Sequence, residues 1–299
     1  MPAALIEGAF LERLERLSLV SRRRLAGYGK GDRRSVHKGT SIEFVDYRHY
    51  VPGDEPRQVD WNIYRRSGQL YIKQFEEEEV LTAHVLVDTS RSMEWGTPSK
   101  GEYASRLAAA LGYIILAGAS RLVVGTVAGS STATFGPAWG RPQLAALLKF
   151  LERERERAQV DGMSSAETDL DGALEAYARR GTPGLAVLIT DLLTPRFELG
   201  IKRLIDRRFE VILLHLLAPE EVDPTLSGDL TLIDSESGSE VAITLNQEAL
   251  DRYQARFRTW TQAIEAFCGR HRVVYQRIQT GERLETVLFD HLRRRGVLR

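Results

Sequence analysis

From residue 80 onward the chain alternates short apolar runs with amphipathic stretches of helical length, and this alternation limits the possible folds more than any other feature. The apolar runs are Val80 to Val87, Leu122 to Ala128, Leu185 to Thr190, Phe209 to Leu216 and Val273 to Ile278. Helical patterns lie near 102–119, 142–157, 169–180, 196–208, 247–269 and 282–294. Strands separated by helices imply βαβ units, because a parallel return requires a crossover. The expected fold is therefore α/β, a doubly wound and mostly parallel sheet flanked by helices. Leu230 to Asp234 and Glu240 to Leu245 flank Ser235-Glu236-Ser237-Gly238-Ser239, which predicts an antiparallel hairpin inserted within 219–246.

The first 79 residues read differently. Phe10, Leu11, Leu14, Leu17 and Leu25 recur near helical spacing within residues 9–25. A Gly-rich basic stretch follows, Gly27 to Gly39, with Lys30, Arg33, Arg34 and Lys38. It lacks Walker spacing, so a solvated loop is favoured over a phosphate or acidic-partner contact. Residues 40–75 mix aromatic and β-branched residues with turn signals at Pro52-Gly53-Asp54-Glu55-Pro56 and Ser67-Gly68, which predicts short strands or irregular structure. In the Pro52–Trp61 block, a turn with Asp60 paired to an arginine and Trp61 plugging a core is favoured over a docking face, or a support for functional loops, built from Arg48, Asp54, Arg57 and Asp60. Glu76 to Glu79 read as a solvated face. The expected division is an N-terminal helix and β-rich extension, 1–79, followed by an α/β domain, 80–299.

Composition narrows the functional classes. Lys plus Arg number 41 and Asp plus Glu 41, so the balance lacks the basic excess of a nucleic-acid coat. Cys268 is the single cysteine, which excludes an intrachain disulfide and a CxxC metal site and predicts an apolar filler on a helix. The first residues carry no secretory pattern. The longest apolar stretch, Leu107 to Ser120, is shorter than the ~20 residues of a membrane span and reads as a buried helix. A cytoplasmic protein without nucleic-acid partner or membrane span is expected.

The chemistry gathers where the first strand of the α/β region ends, at Val85-Leu86-Val87-Asp88-Thr89-Ser90-Arg91-Ser92-Met93. Ligands of open α/β sheets bind beyond the carboxyl ends of the strands. A carboxylate with hydroxyls at i+2 and i+4 gives this loop three hard oxygen donors, suited to Mg²⁺, Mn²⁺ or Ca²⁺. Asp191 ends a second apolar run, and Thr168 precedes the helix feeding that run. Thr168 also begins a Thr-x-x-Asp capping pattern with Asp171, and all these residues are ordinary turn residues, so purely structural roles stand beside the metal-ligand ones.

This set resembles the metal-ion-dependent adhesion site of the von Willebrand factor A fold. That pattern has Asp-x-Ser-x-Ser after the first strand, a Thr before a middle helix and an Asp after the fourth strand. The resemblance carries over to Asp88, Ser90, Ser92, Thr168 and Asp191 as metal ligands. Glu167 and Leu192 depart from it, standing where glycines are common. A narrower resemblance, from residue 15 to the C-terminus, is to the bacterial and archaeal "domain of unknown function fifty-eight" family. It rests on Glu43-Phe44, on Tyr50-Val51-Pro52-Gly53-Asp54-Glu55-Pro56-Arg57-Gln58-Val59-Asp60-Trp61, on the Asp88 motif, on Leu232-Ile233-Asp234-Ser235-Glu236 and on Tyr253. That resemblance implies a binding partner of a MoxR-type AAA+ ATPase, or of its client, in assembly, maturation or stress pathways.

The function expected is thus a non-catalytic, metal-dependent protein-binding module. Serine and threonine hydroxyls are neutral, so a divalent ion held by two carboxylates would still attract an acidic side chain from a partner. One alternative is a phosphate-ester hydrolase using Asp88, but Ser90 stands where such enzymes place their second acid. No G-x-S-x-G elbow surrounds Ser90 or Ser92. Another alternative is a structural adaptor with a vestigial metal site.

Overall fold

Each strand of a sheet buried on both sides sends alternate residues to opposite faces. The structure, a computed structural model, realises that rule in its central sheet. It describes residues 8–21, 42–77, 80–127, 133–161, 169–194, 196–225, 228–234 and 239–299. The Gly27–Gly39 stretch, Glu78, Glu79, Glu167, Thr168 and Ser235 to Gly238 lie outside the described residues. The chain divides into two compact units, residues 1–22 with 81–299, and residues 23–80.

The larger unit opens with helix α1 (Gly8–Leu14), shorter than the periodicity over 9–25 predicted. Leu14 and Leu17 are buried in the core of this unit, and Tyr113 donates a 2.7 Å hydrogen bond to Glu15. Ser18 and Arg299 exchange backbone hydrogen bonds, tying the segment to the C-terminus. The expected extension 1–79 is therefore not one piece, because these leucines have their apolar partners in the α/β unit.

In the smaller unit, β1 (Ile42–His49) pairs antiparallel with β2 (Tyr71–Glu77), and α2 (Trp61–Ser67) lies between them in sequence. The hairpin turn expected at Ser67-Gly68 is instead the end of α2. Asp60 caps its start by accepting from Asn62 and Ile63 amides, and Gly68 closes it in the left-handed conformation, with φ of 70°. Arg48 pairs with Asp54 through bonds of 2.6 and 2.7 Å. One other expectation fails here. Trp61 is 60% exposed, because it occupies the first turn of a helix that buries none of its residues.

The larger unit continues with β3 (Thr82–Asp88), α3 (Lys100–Ala117), β4 (Arg121–Val127), β5 (Thr134–Ala138), α4 (Leu144–Asp161), α5 (Leu170–Arg180), β6 (Leu185–Thr190), α6 (Phe197–Asp206) and β7 (Glu210–Leu217). Then follow α7 (Pro219–Val222), β8 (Gly228–Ile233), β9 (Glu240–Leu245), α8 (Gln247–His271), β10 (Val274–Gln279) and a π-helical segment at Thr286–His291 leading into α9 (Leu292–Arg294). The six-stranded order is β10-β7-β6-β3-β4-β5, parallel except for β4 against β5. Ala83, Val85, Val87, Leu185, Val187 and Ile189 join the cluster that holds α3 residues and Leu147 of α4, whereas Leu86, Ala186 and Leu188 join that of α5, α6 and α8. The fold is thus a mixed α/β sandwich with a mostly parallel central sheet, as expected. β8 and β9 form the expected separate hairpin. Cys268 is buried in the second cluster, as expected of an apolar filler. Among the described residues, no helix is long and apolar enough to cross a membrane.

Candidate metal centre

Because β3 is followed on one side by β4 and on the other by β6, the chain reverses direction between β3 and β6. A crevice opens at such a switch point beyond the carboxyl ends of the strands. Val87 sits opposite Ile189 in the ladder, which brings Asp88 and Asp191 to the same rim from adjacent strands. Both carboxylates are fully buried, and Ser90 and Ser92 are nearly so.

The loop after β3 is folded by its own polar groups. Asp88 Oδ1 accepts the Ser90 amide at 2.9 Å, and its Oδ2 accepts the Thr190 hydroxyl at 2.6 Å. The Ser90 and Ser92 hydroxyl oxygens lie 3.0 Å apart. Three of the expected donors, Asp88, Ser90 and Ser92, are thereby gathered in one loop, with Asp191 on the neighbouring strand end. Thr168 lies outside the described residues. Burial, and the nearby Asp191 carboxylate, push the Asp88 carboxyl above the ordinary carboxylate range.

Asp191 meets burial differently. Its Oδ2 accepts from the ammonium of Lys100 at 2.8 Å, and Lys100 also donates to Glu221 Oε1 at 2.5 Å. Lys100 has no exposed surface at all. Glu221 Oε2 in turn accepts the Ala218 amide at 2.7 Å, fixing α7 beside the end of β7. A cation in the first turn of α3 opposes the helix dipole, so its two carboxylate partners are what make the position tenable.

His215 completes the support of the second loop. The Asp191 carbonyl can only accept, so His215 Nε2 carries the proton and donates to it at 3.0 Å, while Nδ1 accepts from the Tyr275 hydroxyl at 2.8 Å. Burial holds this imidazole down to about 4, hence neutral. Leu192, at the position where the adhesion-site pattern favours glycine, adopts φ of 56°. A leucine tolerates this uncommon backbone because its side chain is buried and its amide donates to Thr190 Oγ1 at 3.0 Å. Lys100, Glu221, Thr190 and His215 were not anticipated as parts of the site. The sequence held no motif for them: Lys100 opens a helix that also carries Glu102 and Arg106.

Residues 46–266 match the family described as "Protein of unknown function DUF58". The chain belongs to the DUF58 family. An uncharacterised protein of Mycobacterium tuberculosis (strain ATCC 25618 / H37Rv) is 28% identical over 228 residues, spanning 75% of this chain and 70% of that one. An uncharacterised protein of Mycobacterium bovis gives the same figures, 28% identity over 228 residues. Among solved structures, conserved hypothetical protein BatB from Bacteroides thetaiotaomicron has a TM-score of 0.42 at 17% identity, over 67% of this chain and 90% of that one. An aerotolerance-related membrane protein from Bacteroides fragilis NCTC 9343 has a TM-score of 0.39 at 17% identity, over 66% and 91% of the two chains. The DUF58 match encloses Asp88, Lys100, Asp191 and Glu221, and ends within α8.

Whether this DUF58 site suits a divalent ion is a question of its donors. Among the described residues, no three His, Cys, Asp or Glu side chains gather into a metal-binding group, so an ion would depend on the serine hydroxyls. The donors are all hard oxygens, and Asp88 carries buried charge with no cationic partner among the described residues. A hard cation fits that deficit. Lys100 limits the fit on the other side, because it already holds one oxygen of Asp191.

Proposed function

We propose that this DUF58 protein is a non-catalytic, divalent-metal-dependent protein-binding module, acting in the cytoplasm as an adaptor for a MoxR-type AAA+ ATPase or that ATPase's client. The observation that carries the reading is the buried, uncompensated Asp88 carboxylate beside two serine hydroxyls 3.0 Å apart, at the switch point of the sheet. Asp88, Ser90, Ser92 and Asp191 would hold Mg²⁺, or Mn²⁺ or Ca²⁺, with Thr168 as the fifth ligand implied by the adhesion-site resemblance. The ion would supply an open position for a carboxylate from the partner. The chain's own residues orient the donors: Thr190 and the Ser90 amide fix the Asp88 carboxylate, and Lys100 and His215 fix the Asp191 loop.

Millimolar Mg²⁺ or Mn²⁺ should stabilise the wild-type chain by about 2.7 kcal/mol at a hundredfold excess over the dissociation constant. Asp88→Asn preserves the shape and should abolish that gain, as read by thermal unfolding with and without EDTA. Affinity capture should recover an AAA+ ATPase that EDTA releases. A competing reading, a structural adaptor whose site takes no metal, draws support from Lys100, whose ammonium already neutralises Asp191. A wild-type melting temperature indifferent to both metals would favour it. The hydrolase reading gains nothing here, since the groups that hydrogen-bond Asp88 are the Ser90 amide and the Thr190 hydroxyl, neither of them a general acid or base.

A further inference from the structure

Ser92 lines a groove of about 1390 Å³ whose walls follow from two periodicities. In the β8–β9 hairpin, Leu230 pairs across with Ile243 and Leu232 with Val241, so these four side chains share one face of the ribbon. All four line the groove. The opposite face carries Asp229, Thr231, Glu240 and Thr244, with Thr244 donating to Asp229 at 2.6 Å, and ends in the exposed Ile233. On α8, Ala249, Tyr253 and Arg256 recur at intervals of four and three, forming one helical stripe, and line the groove as well. Trp95 and Leu193, from the loops that follow Asp88 and Asp191, complete it.

This lining is an apolar surface without a partner. Trp95 is 57% exposed, Val241 56%, Leu232 49% and Leu193 49%. Contiguous exposure of this kind marks an interaction site in a folded protein. The volume exceeds the roughly 300–1,000 Å³ of small-molecule pockets, which favours a length of polypeptide. Charge points the same way. Glu221 is held by Lys100, and Arg252 by Glu248, whereas Arg256 has no ion-pair partner among the described residues. The lining also carries Glu220 and Asp234, of which Glu220 has no ion pair among the described residues.

We propose that the groove docks an apolar peptide segment of a partner protein that carries a carboxylate. The apolar side chains lie against the hairpin and α8, and the acid reaches Arg256 and the loop of Asp88, Ser90 and Ser92. Only the acid's route to an ion at that loop rests on the metal-site reading. A library of twelve-residue peptides, displayed and selected against the full chain in Mg²⁺, tests both parts. The measurement is repeated with EDTA, with Asp88→Asn and with the double variant Leu232→Ser/Val241→Ser, whose positions are exposed enough to accept polar side chains. Selected peptides should combine apolar residues with Asp or Glu and lose at least tenfold in affinity on the groove variant. They should also weaken with EDTA and on Asp88→Asn. Apolar peptides that fail on the groove variant but ignore EDTA would support the groove and overturn the metal reading. Acidic peptides that bind the groove variant as well as wild type would overturn the groove and leave the metal reading standing. No enrichment would overturn the proposal. So would a wild-type dimer that the groove variant converts to monomer, since a second copy would then be the occupant.

Discussion

Asp88 and Asp191 end adjacent parallel strands at the same rim, and both are completely buried, yet they resolve burial in opposite ways. Asp191 has a buried ammonium at 2.8 Å, whereas Asp88 has only neutral donors, an amide and hydroxyls. A buried carboxylate without a counter-charge is costly, and the cost falls on binding a proton or a cation. The difference marks Asp88, rather than Asp191, as the buried carboxylate without an ion pair among the described residues, which is where the proposed ion would bind. The Lys100 network, by contrast, joins α3, Asp191 and α7.

Lys100→Met breaks that comparison most severely. It leaves Asp191 and Glu221 without their shared cation, putting Asp191 in the condition of Asp88, with the Leu193 amide at 3.1 Å as its remaining donor among the described residues. Removing one member of a buried ion pair costs about 3–5 kcal/mol. Urea unfolding should show a loss of this size, and a loss below about 1 kcal/mol would mean that Asp191 is not held by charge. Because Glu221 Oε2 also fixes the Ala218 amide, α7 should lose amide protection together with the β6 end.

A buried base on the same strand meets the problem in a third way, by giving up its proton. His84 Nδ1 lies 2.7 Å from the Tyr177 hydroxyl, and burial lowers its pKa from 6.5 to about 4. Between those values the unfolded chain binds the proton and the folded chain does not. The stability contributed by keeping His84 neutral is therefore complete above pH 6.5 and is lost as pH falls toward about 4. The shift corresponds to about 3 kcal/mol at full extent. Asp88, raised by burial, acts in the opposite sense over part of this range, so the raw slope mixes the two. The informative quantity is the slope of wild type minus that of His84→Gln between pH 7 and 4. It should be positive with rising pH, and parallel curves would show that His84 keeps its proton in the fold.

The readable and unreadable parts of the sequence divide along the same physical line. The strands of the central sheet were legible because burial on both faces demands continuous apolar runs, such as Leu185–Thr190, and each expected run became a strand. β5 escaped, since Thr-Phe-Gly-Pro-Ala at an antiparallel edge needs neither an apolar run nor a following helix. α2 was missed, since residues 40–75 were expected to be short strands or irregular structure, while the decisive signals were its ends, Asp60 and Gly68. In the site, Asp88, Ser90, Ser92 and Asp191 were legible because they close apolar strands. Lys100 and Glu221 were not, because 121 positions separate them and only tertiary packing brings them within 2.5 Å. A motif reports the groups that face a ligand. It is silent on the groups that keep a motif's charge from unfolding the chain.

The smallest effect sharpens the comparison with a third carboxylate. Asp60, in the smaller unit, is 7% exposed and caps the start of a helix. Its Oδ1 accepts the Asn62 amide at 2.9 Å and the Ile63 amide at 3.3 Å, so its charge rests on the positive end of α2. Oδ2 accepts the Tyr47 hydroxyl at 3.2 Å. If the role of Asp60 is to cap this helix, geometry matters more than charge at this position. Asp60→Ala should then cost about 1 kcal/mol, the usual value of a lost helix cap, and Asp60→Asn only a few tenths. Hydrogen exchange at residues 62–67 is the suitable measurement, because residues 23–80 form their own compact unit. Exchange there should accelerate by about fivefold in Asp60→Ala, while β3 and β6 remain protected. An Asp60→Asn chain that exchanges as fast as Asp60→Ala would show that the negative charge itself is needed, which would bring Asp60 closer to Asp191 than to a simple cap.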